Sequence, residues 1–245
     1  MKSFILSLLI SSACFATGVE HELIGGQPVE LGAYPEIVYI QSGDGQSRWH
    51  CTATLIGPQV ILTAGHCVAN EGSIQPVVVV VRFPIGKIEY SAKCQQAPLY
   101  RSQQEDHDMA LCKVDKELPI KPASISKVGP KIGDKVILTG YGCIQPGGGG
   151  GNDGTLRMGL STVSKLPVDK DHWFYTQDDS ALCFGDSGGP SLLNSDDHLL
   201  IGVNSRGNIK DLSLLTALWT PESIAFFQDF ARDSEVSICG VTDDC

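Results

Sequence analysis

Past its first twenty or so residues the chain has no long apolar run. It also has no CxxC pair, no internal repeat and too few cations to balance its anions. Each absence removes a class of function. A bilayer span takes about 20 consecutive apolar residues, and the longest later run, the five valines at 77–81, is the size of a strand. Lys and Arg number 18 against 28 Asp and Glu, a formal charge of −10. Such a surface repels a phosphate backbone, so nucleic acid is a poor partner. The charges are scattered, as on a solvated face. The cysteines lie far apart and none sits at zinc-ligand spacing, which argues against a structural metal. The low-complexity stretch QPGGGGGNDG, 145–154, lacks the Lys-Ser/Thr that would follow a phosphate-cradling loop. Its backbone entropy predicts a mobile loop instead.

What is present begins with MKSFILSLLISSACFATGVEHE. One lysine, an apolar stretch from Phe4 to Ile10 and then small residues form the order of a secretory signal, with cleavage expected after Ala16. A lipoprotein reading would cut before Cys14 and lipidate it. Ser11 stands where such signals prefer an aliphatic residue, so a freely exported (extracellular or periplasmic) protein is the preferred expectation. Nine cysteines are present. Loss of Cys14 leaves Cys51, Cys67, Cys94, Cys112, Cys143, Cys183, Cys239 and Cys245. An even number in an exported chain reads as disulfides, and sequence alone allows 105 pairings of eight.

The body of the chain, with 42% hydrophobic residues, suits one large domain or two small ones. Short β-rich stretches recur at 36–40, 51–56, 59–64, 76–83, 109–114, 135–142 and 199–205, separated by Gly, Pro, Asn and Asp clusters. That pattern predicts an all-β sandwich or barrel. Only PESIAFFQDFARD, 221–233, reads clearly as helix. Thr220 is its cap, Pro221 its first residue, and Ile224, Phe227 and Phe230 form its apolar face. The proline-rich stretch 117–134 lacks strand alternation and reads as a linker between two halves.

Three separated segments carry chemistry: LTAGHC at 62–67, DHDMALC at 106–112 and GDSGGP at 185–190. A hydroxyl is a weak nucleophile at neutral pH. It needs a base to take its proton, and the base needs an acid to fix its tautomer. Histidine has the intrinsic pKa for the base. Ser187, His66 and Asp108 fill these roles.

TAGHC and GDSGGP, about 120 residues apart with DMAL between them, are a specific combination. The chain from LIGG at 23–26 to the terminal helix resembles the trypsin-like, or chymotrypsin-family, serine endopeptidases. The resemblance implies two six-stranded antiparallel Greek-key barrels with a C-terminal helix, one half at 23–125 and the other at 126–245. It implies a triad of His66, Asp108 and Ser187, with Asp108 rather than Asp106 as the acid. It makes Gly185 and Ser187 the oxyanion donors, and Asp186 the partner of a freshly cut α-amino group. That group would belong to Leu23, after removal of a pro-segment 17–22 by cleavage behind Glu22. Most relatives carry Arg or Lys before this cut, so an activating protease should prefer Glu or be unspecific.

The resemblance also implies pairs. Cys51–Cys67 flank the histidine. Cys183 lacks its usual partner, because SRG at 205–207 is followed by no cysteine until 239, and Cys143 is expected to replace it. Cys94 and Cys112 fall on neighbouring strands, and Cys239 and Cys245 would close a terminal loop. The specificity pocket is expected to have Ala181 as its floor, Ala217 as a second lining position, and Ser205 and Gly207 along the substrate strand. Small neutral residues imply an apolar or aromatic side chain before the scissile bond. Arg206 stands where relatives carry Trp and sets a positive charge beside the substrate. His50, His107, His172 and His198 are expected to be surface or core polar residues. Asn70 and Glu71 lie where some relatives bind calcium, but two acceptors make no cage. No cofactor or metal is expected; the partners are protein or peptide substrates and a possible activating protease, and the protein is expected to be a monomer. A catalytically inactive binding protein on the same fold is the alternative. An α/β-hydrolase esterase would need the histidine after the GxSxG serine and strand–helix alternation, and the chain has neither.

Overall fold

Six strands roll the first half of the chain into a closed barrel: β1 Ile37–Gly43, β2 Arg48–Gly57, β3 Val60–Thr63, β4 Val77–Phe83, β5 Gly86–Gln96 and β6 Ala110–Val114. A computed structural model describes residues 23–43, 48–70, 73–83, 86–102, 106–150, 153–169, 171–195, 197–243 and 245. The expected signal, the pro-segment, Cys14, Glu22 and Glu71 lie outside the described residues. The strand order is β1-β2-β3-β6-β5-β4, with β4 closing on β1, all antiparallel. Closure leaves no edge strand open to foreign pairing. The valine run supplies β-branched side chains that fit a pleated wall; Val77, Val79 and Val81 enter the core with Ile40, Leu55, Ile61 and Leu111. Each such side chain contributes ~1.5–3 kcal/mol on burial. In β2 the segment Cys51–Gly57 is buried throughout, because one face lines the barrel and the other meets the second half.

The second half repeats the pattern with β7 Lys135–Gly140, β8 Arg157–Lys165, β9 Trp173–Gln177, β10 Pro190–Leu193, β11 Leu200–Gly207 and β12 Leu212–Ala217. Its order is β7-β8-β9-β12-β11-β10, with β10 closing on β7. This is the order of the first barrel. A two-residue strand, Gln27–Pro28, adds to β8. The fold is thus two six-stranded antiparallel barrels with a C-terminal helix.

The stretch 117–134 crosses between the barrels and bonds to both: Ala123 N–H donates to Leu55 (2.8 Å) and Ser126 N–H to Leu200 (2.9 Å). A short helix α1, Pro98–Ser102, interrupts the β pattern. Helix α2, Pro221–Ser234, is capped by the Thr220 hydroxyl, which accepts from Ser223 N–H. Although it follows the second barrel, α2 buries Phe226, Phe227 and Phe230 in the first barrel's core. Four disulfides join Cys51–Cys67, Cys94–Cys112, Cys143–Cys183 and Cys239–Cys245. The second of these crosses β5 and β6 at directly paired positions. Among the described residues no helix is long and apolar enough to cross a membrane.

Candidate active site

His66 sits on a single helical turn, Gly65–Cys67, just beyond β3. The turn is fastened from three sides: the Cys51–Cys67 bridge, Gln96 Nε2 donating to Gly65 O (2.8 Å), and Trp49 Nε1 donating to Cys67 O (2.9 Å). Asp108 immediately precedes β6 and is fully buried. Its Oδ2 lies 2.7 Å from His66 Nδ1 and its Oδ1 accepts from His66 N–H at 3.0 Å. A carboxylate can only accept, so Nδ1 carries the proton and Nε2 is left as the basic nitrogen. Ser205 Oγ donates to the same Oδ2 at 2.6 Å, and Thr216 Oγ1 donates to Asp108 O at 3.0 Å. Burial alone would raise the Asp108 pKa. The charge and hydrogen bonds of His66, with the Ser205 hydroxyl, outweigh it and hold the carboxyl below its usual value.

Ser187 lies on the loop between β9 and β10 and shares one cleft with His66. Thr52 of β2 reaches across to hold this loop: its N–H donates to Ser187 O and its hydroxyl to Gly185 O, both at 2.8 Å. Gly185 has φ +102° and Gly188 φ +81°. Both lie in the left-handed region that disfavours other residues. A Cβ on Gly185 would also meet His50 Nε2 at 2.7 Å, and one on Gly188 would meet Thr63 and Thr52. The glycines of GDSGGP are therefore conformational and steric requirements of a loop pressed against the other barrel.

Between these glycines Asp186 is fully buried. Its two oxygens accept from Gly142 N–H and Cys183 N–H, each at 2.8 Å. The Cys143–Cys183 bridge ties the two donor segments together. Burial pushes its pKa up to about 7, against the two backbone donors and the Arg157 charge, which pull it down. Leu23, fully buried with φ +50°, packs among Val136, Leu138 and Leu182. Its neighbour Ile24 bridges to Ala181 and packs on the Cys143–Cys183 pair.

The cleft has a volume of about 370 Å³. Ser205, Arg206 and Gly207 of β11 form one wall. Leu182, Phe184 and Ile209 add apolar lining, and Tyr100 of α1 lines it as well. Ala181 and Ala217 are fully buried and do not line it. Ile209 packs against the cluster of Ile24, Cys143, Ala181 and Cys183, and Leu182 shares a core cluster with Ala217. Ile209, a β-branched residue at φ +56°, adopts a conformation that costs roughly 1–2 kcal/mol. Its carbonyl accepts from Gly147 N–H at 3.2 Å. The glycine-rich stretch turns back on itself through a Gln145–Gly149 bridge and meets the cleft there.

Asp106 is not on His66. Its Oδ2 lies 2.9 Å from His172 Nδ1. The His172 ring packs 4.5 Å from that of His107, whose Nε2 bonds Ser223 Oγ at 2.8 Å. Burial and the neighbouring His172 lower the His107 pKa to about 4. His107 and His172 are thus buried and paired across the two barrels. Cys51, His66 and Cys67 are close enough to suggest a metal site, but both cysteines are in a disulfide and offer no thiolate. Sequence reasoning missed Ser205 as a partner of Asp108, and missed Leu182, Phe184, Ile209 and Tyr100 as cleft walls. The SRG segment was the one available signal for the first; the others lie on loops and turns whose positions only the fold determines.

A family model described as Trypsin matches residues 23–217. Among curated proteins, the serine protease SP24D of Anopheles gambiae is 28% identical, covering 74% of this chain and 70% of its own. Chymotrypsin-2 of Vespa crabro is 26% identical, over 76% and 88% respectively. A trypsin of Phaedon cochleariae is 28% identical over 84% and 89%.

Proposed function

Because the chain belongs to the trypsin family of serine endopeptidases, we propose that it cleaves protein substrates through His66, Asp108 and Ser187. The 2.7 Å contact of His66 Nδ1 with buried Asp108, in a cleft shared with Ser187, carries this reading. His66 Nε2 takes the Ser187 proton as Oγ attacks the scissile carbonyl carbon. Asp108 keeps the imidazole oriented and stabilises the imidazolium, while remaining a carboxylate. The N–H groups of Gly185 and Ser187 receive the developing oxyanion, each such donor being worth ~3–4 kcal/mol. His66 then gives its proton to the leaving amine, leaving an acyl group on Ser187. A water molecule, deprotonated by His66, releases the acid and restores the hydroxyl.

The side chain before the scissile bond lies against Leu182, Phe184 and Ile209, and an apolar or aromatic residue suits these walls. Ala181 and Ala217 act from behind them. The protein is exported after loss of residues 1–16 and held inactive by 17–22. In the continuous chain the Leu23 nitrogen is an amide. Cleavage behind Glu22 makes it an α-ammonium that can pair with Asp186 and hold it ionised. The pKa near 7 supports this, since a carboxyl so buried lacks enough positive charge around it.

Labelling with a fluorophosphonate tests the reading. The processed protein should react at one serine, and Ser187→Ala should abolish labelling and peptide hydrolysis together. An inert processed protein would instead make this a binding protein on a protease fold.

A further inference from the structure

A second cavity, of about 450 Å³, lies at the seam of the two barrels. It shares no lining residue with the cleft of His66 and Ser187. Its volume is in the range of small-ligand sites. The chain leading into β1, the β4–β5 turn, Tyr141 and residues 153–156 all contribute to it. Its walls are apolar or aromatic at Val29, Tyr34, Ile37 and Leu156, and four charged side chains join them: Glu30, Arg82, Lys87 and Asp153.

Two of these charges are already matched. Both Asp153 oxygens accept from the Arg157 guanidinium, at 3.0 and 2.8 Å. Lys87 Nζ donates to Glu89 at 2.7 Å. Arg82 differs. Its Nε is buried without an acceptor, and no described carboxylate stands at ion-pair distance from its guanidinium. The contacts that hold it do not neutralise it. Its Cζ lies 5.5 Å from the Tyr39 ring centroid, and Tyr39 meets the Tyr141 ring edge-on at 5.8 Å. Gly154, at φ +77°, makes room for the group, since a Cβ there would clash with both terminal nitrogens. A half-buried cation without a partner is costly to keep. A planar guanidinium fixed in advance loses little entropy on meeting a carboxylate. Glu30, which is exposed, is the other lining charge without a described partner. The cavity therefore presents one open charge of each sign beside apolar walls.

We propose that this cavity binds a short zwitterionic peptide, with its terminal carboxylate on Arg82, its ammonium towards Glu30 and an apolar side chain against Tyr34, Ile37 and Leu156. A guanidinium fork matches the two oxygens of a carboxylate. A phosphate would bring its extra negative charge up to Glu30 and Asp153, and it has no ammonium to offset them. Hydrolysis of peptide bonds releases ligands of this class, but binding here does not depend on that activity.

The test uses the protein carrying Ser187→Ala, so that no peptide is cut, and calorimetric titration with leucyl-leucine. At low salt the free dipeptide should bind about tenfold more tightly than its C-terminal amide. It should bind about threefold more tightly than its N-acetyl form, the smaller ratio reflecting the exposure of Glu30. Arg82→Gln should bring the acid/amide ratio near one, and Glu30→Gln the free/acetylated ratio near one. Arg82→Lys keeps the charge and loses the fork. It should give an intermediate acid/amide ratio, and it carries the comparison if a melting curve shows that Arg82→Gln does not fold. Three results overturn the proposal: no binding of leucyl-leucine at millimolar concentration, equal affinity for the dipeptide and either blocked form while Arg82 and Glu30 are present, or an acid preference that the Arg82 replacements leave unchanged.

Discussion

The first barrel fills its interior with valine, isoleucine and leucine, and its buried polar groups are fewer: Ser42, Thr52, Thr54, Thr63, Gln96, His107 and Asp108. The second barrel, built on the same strand order, buries Arg157, Asp186, Asn204, Ser205, Ser213 and Thr216 among others. Asn204 alone bonds Thr139 O (2.7 Å), Asp186 O (3.2 Å) and Ser191 Oγ (3.0 Å). One topology therefore supports two kinds of interior. The first is a stiff apolar platform that presents His66 and Asp108. The second is a hydrogen-bonded interior that shapes the serine loop and the substrate wall. Buried polar networks are sensitive to any missing member, whereas apolar cores tolerate modest change. His66 and Asp108 thus stand on the robust half and Ser187 on the conditional one.

The largest effect that tests this division comes from the residue joining the halves. Asp108→Asn keeps the shape but favours the wrong imidazole tautomer, and should lower kcat by roughly 10⁴-fold with little change in thermal stability. Steady-state hydrolysis and a melting curve read both. Next come the disulfides. Replacing Cys94 and Cys112 by serine in the first barrel, or Cys143 and Cys183 in the second, should each cost ~3–4 kcal/mol of stability. Only the second pair should also lower kcat, by at least tenfold, because it ties the Gly142 and Cys183 amides that hold Asp186. Equal kinetic losses from both pairs would erase the distinction.

A comparable contrast should show in pH. His107 titrates at about 4 when folded against 6.5 when free. Its contribution is present above pH 6.5 and is lost as pH falls towards 4, on the order of 3 kcal/mol. Asp186 in the unprocessed chain titrates at about 7 against 3.8. Its contribution is present below pH 3.8 and is lost as pH rises towards 7, on the order of 4 kcal/mol. The two slopes oppose each other across one window. In urea unfolding between pH 4 and 7, Asp186→Asn should expose a stability that rises with pH, and His107→Gln one that falls. The smallest effect belongs to the cap of α2: Thr220→Ala should cost ~1 kcal/mol by the same assay and leave kcat unchanged.

Much of this was legible in the chain. Seven of the twelve barrel strands stand out as apolar runs between turn residues, and the capped helix reads directly from Thr220, Pro221 and its phenylalanines. Strand β5 does not, because Gly86–Gln95 is exposed or only half-buried and its partners, not its own pattern, make it a strand. The segments around His66, Asp108 and Ser187 are local motifs and so are visible. The Ser205–Asp108 bond joins residues 97 apart, and the His107–His172 pair spans the two barrels; nothing local encodes either. Nor does anything local place Ile209, which packs from a different loop against the cluster that holds Ala181.

Helix α2 has one further consequence. A segment made after both barrels seals the half made first: Phe226, Phe227 and Phe230 enter its core, Cys239 N–H donates to Ile56 O at 2.8 Å, and Lys113 Nζ donates to Ser234 O at 2.7 Å. While translation is under way, the first barrel must wait with an open seam until α2 has been made and can dock. The turn that carries His66 is thus backed by a complete core only after the second barrel and α2 have been made.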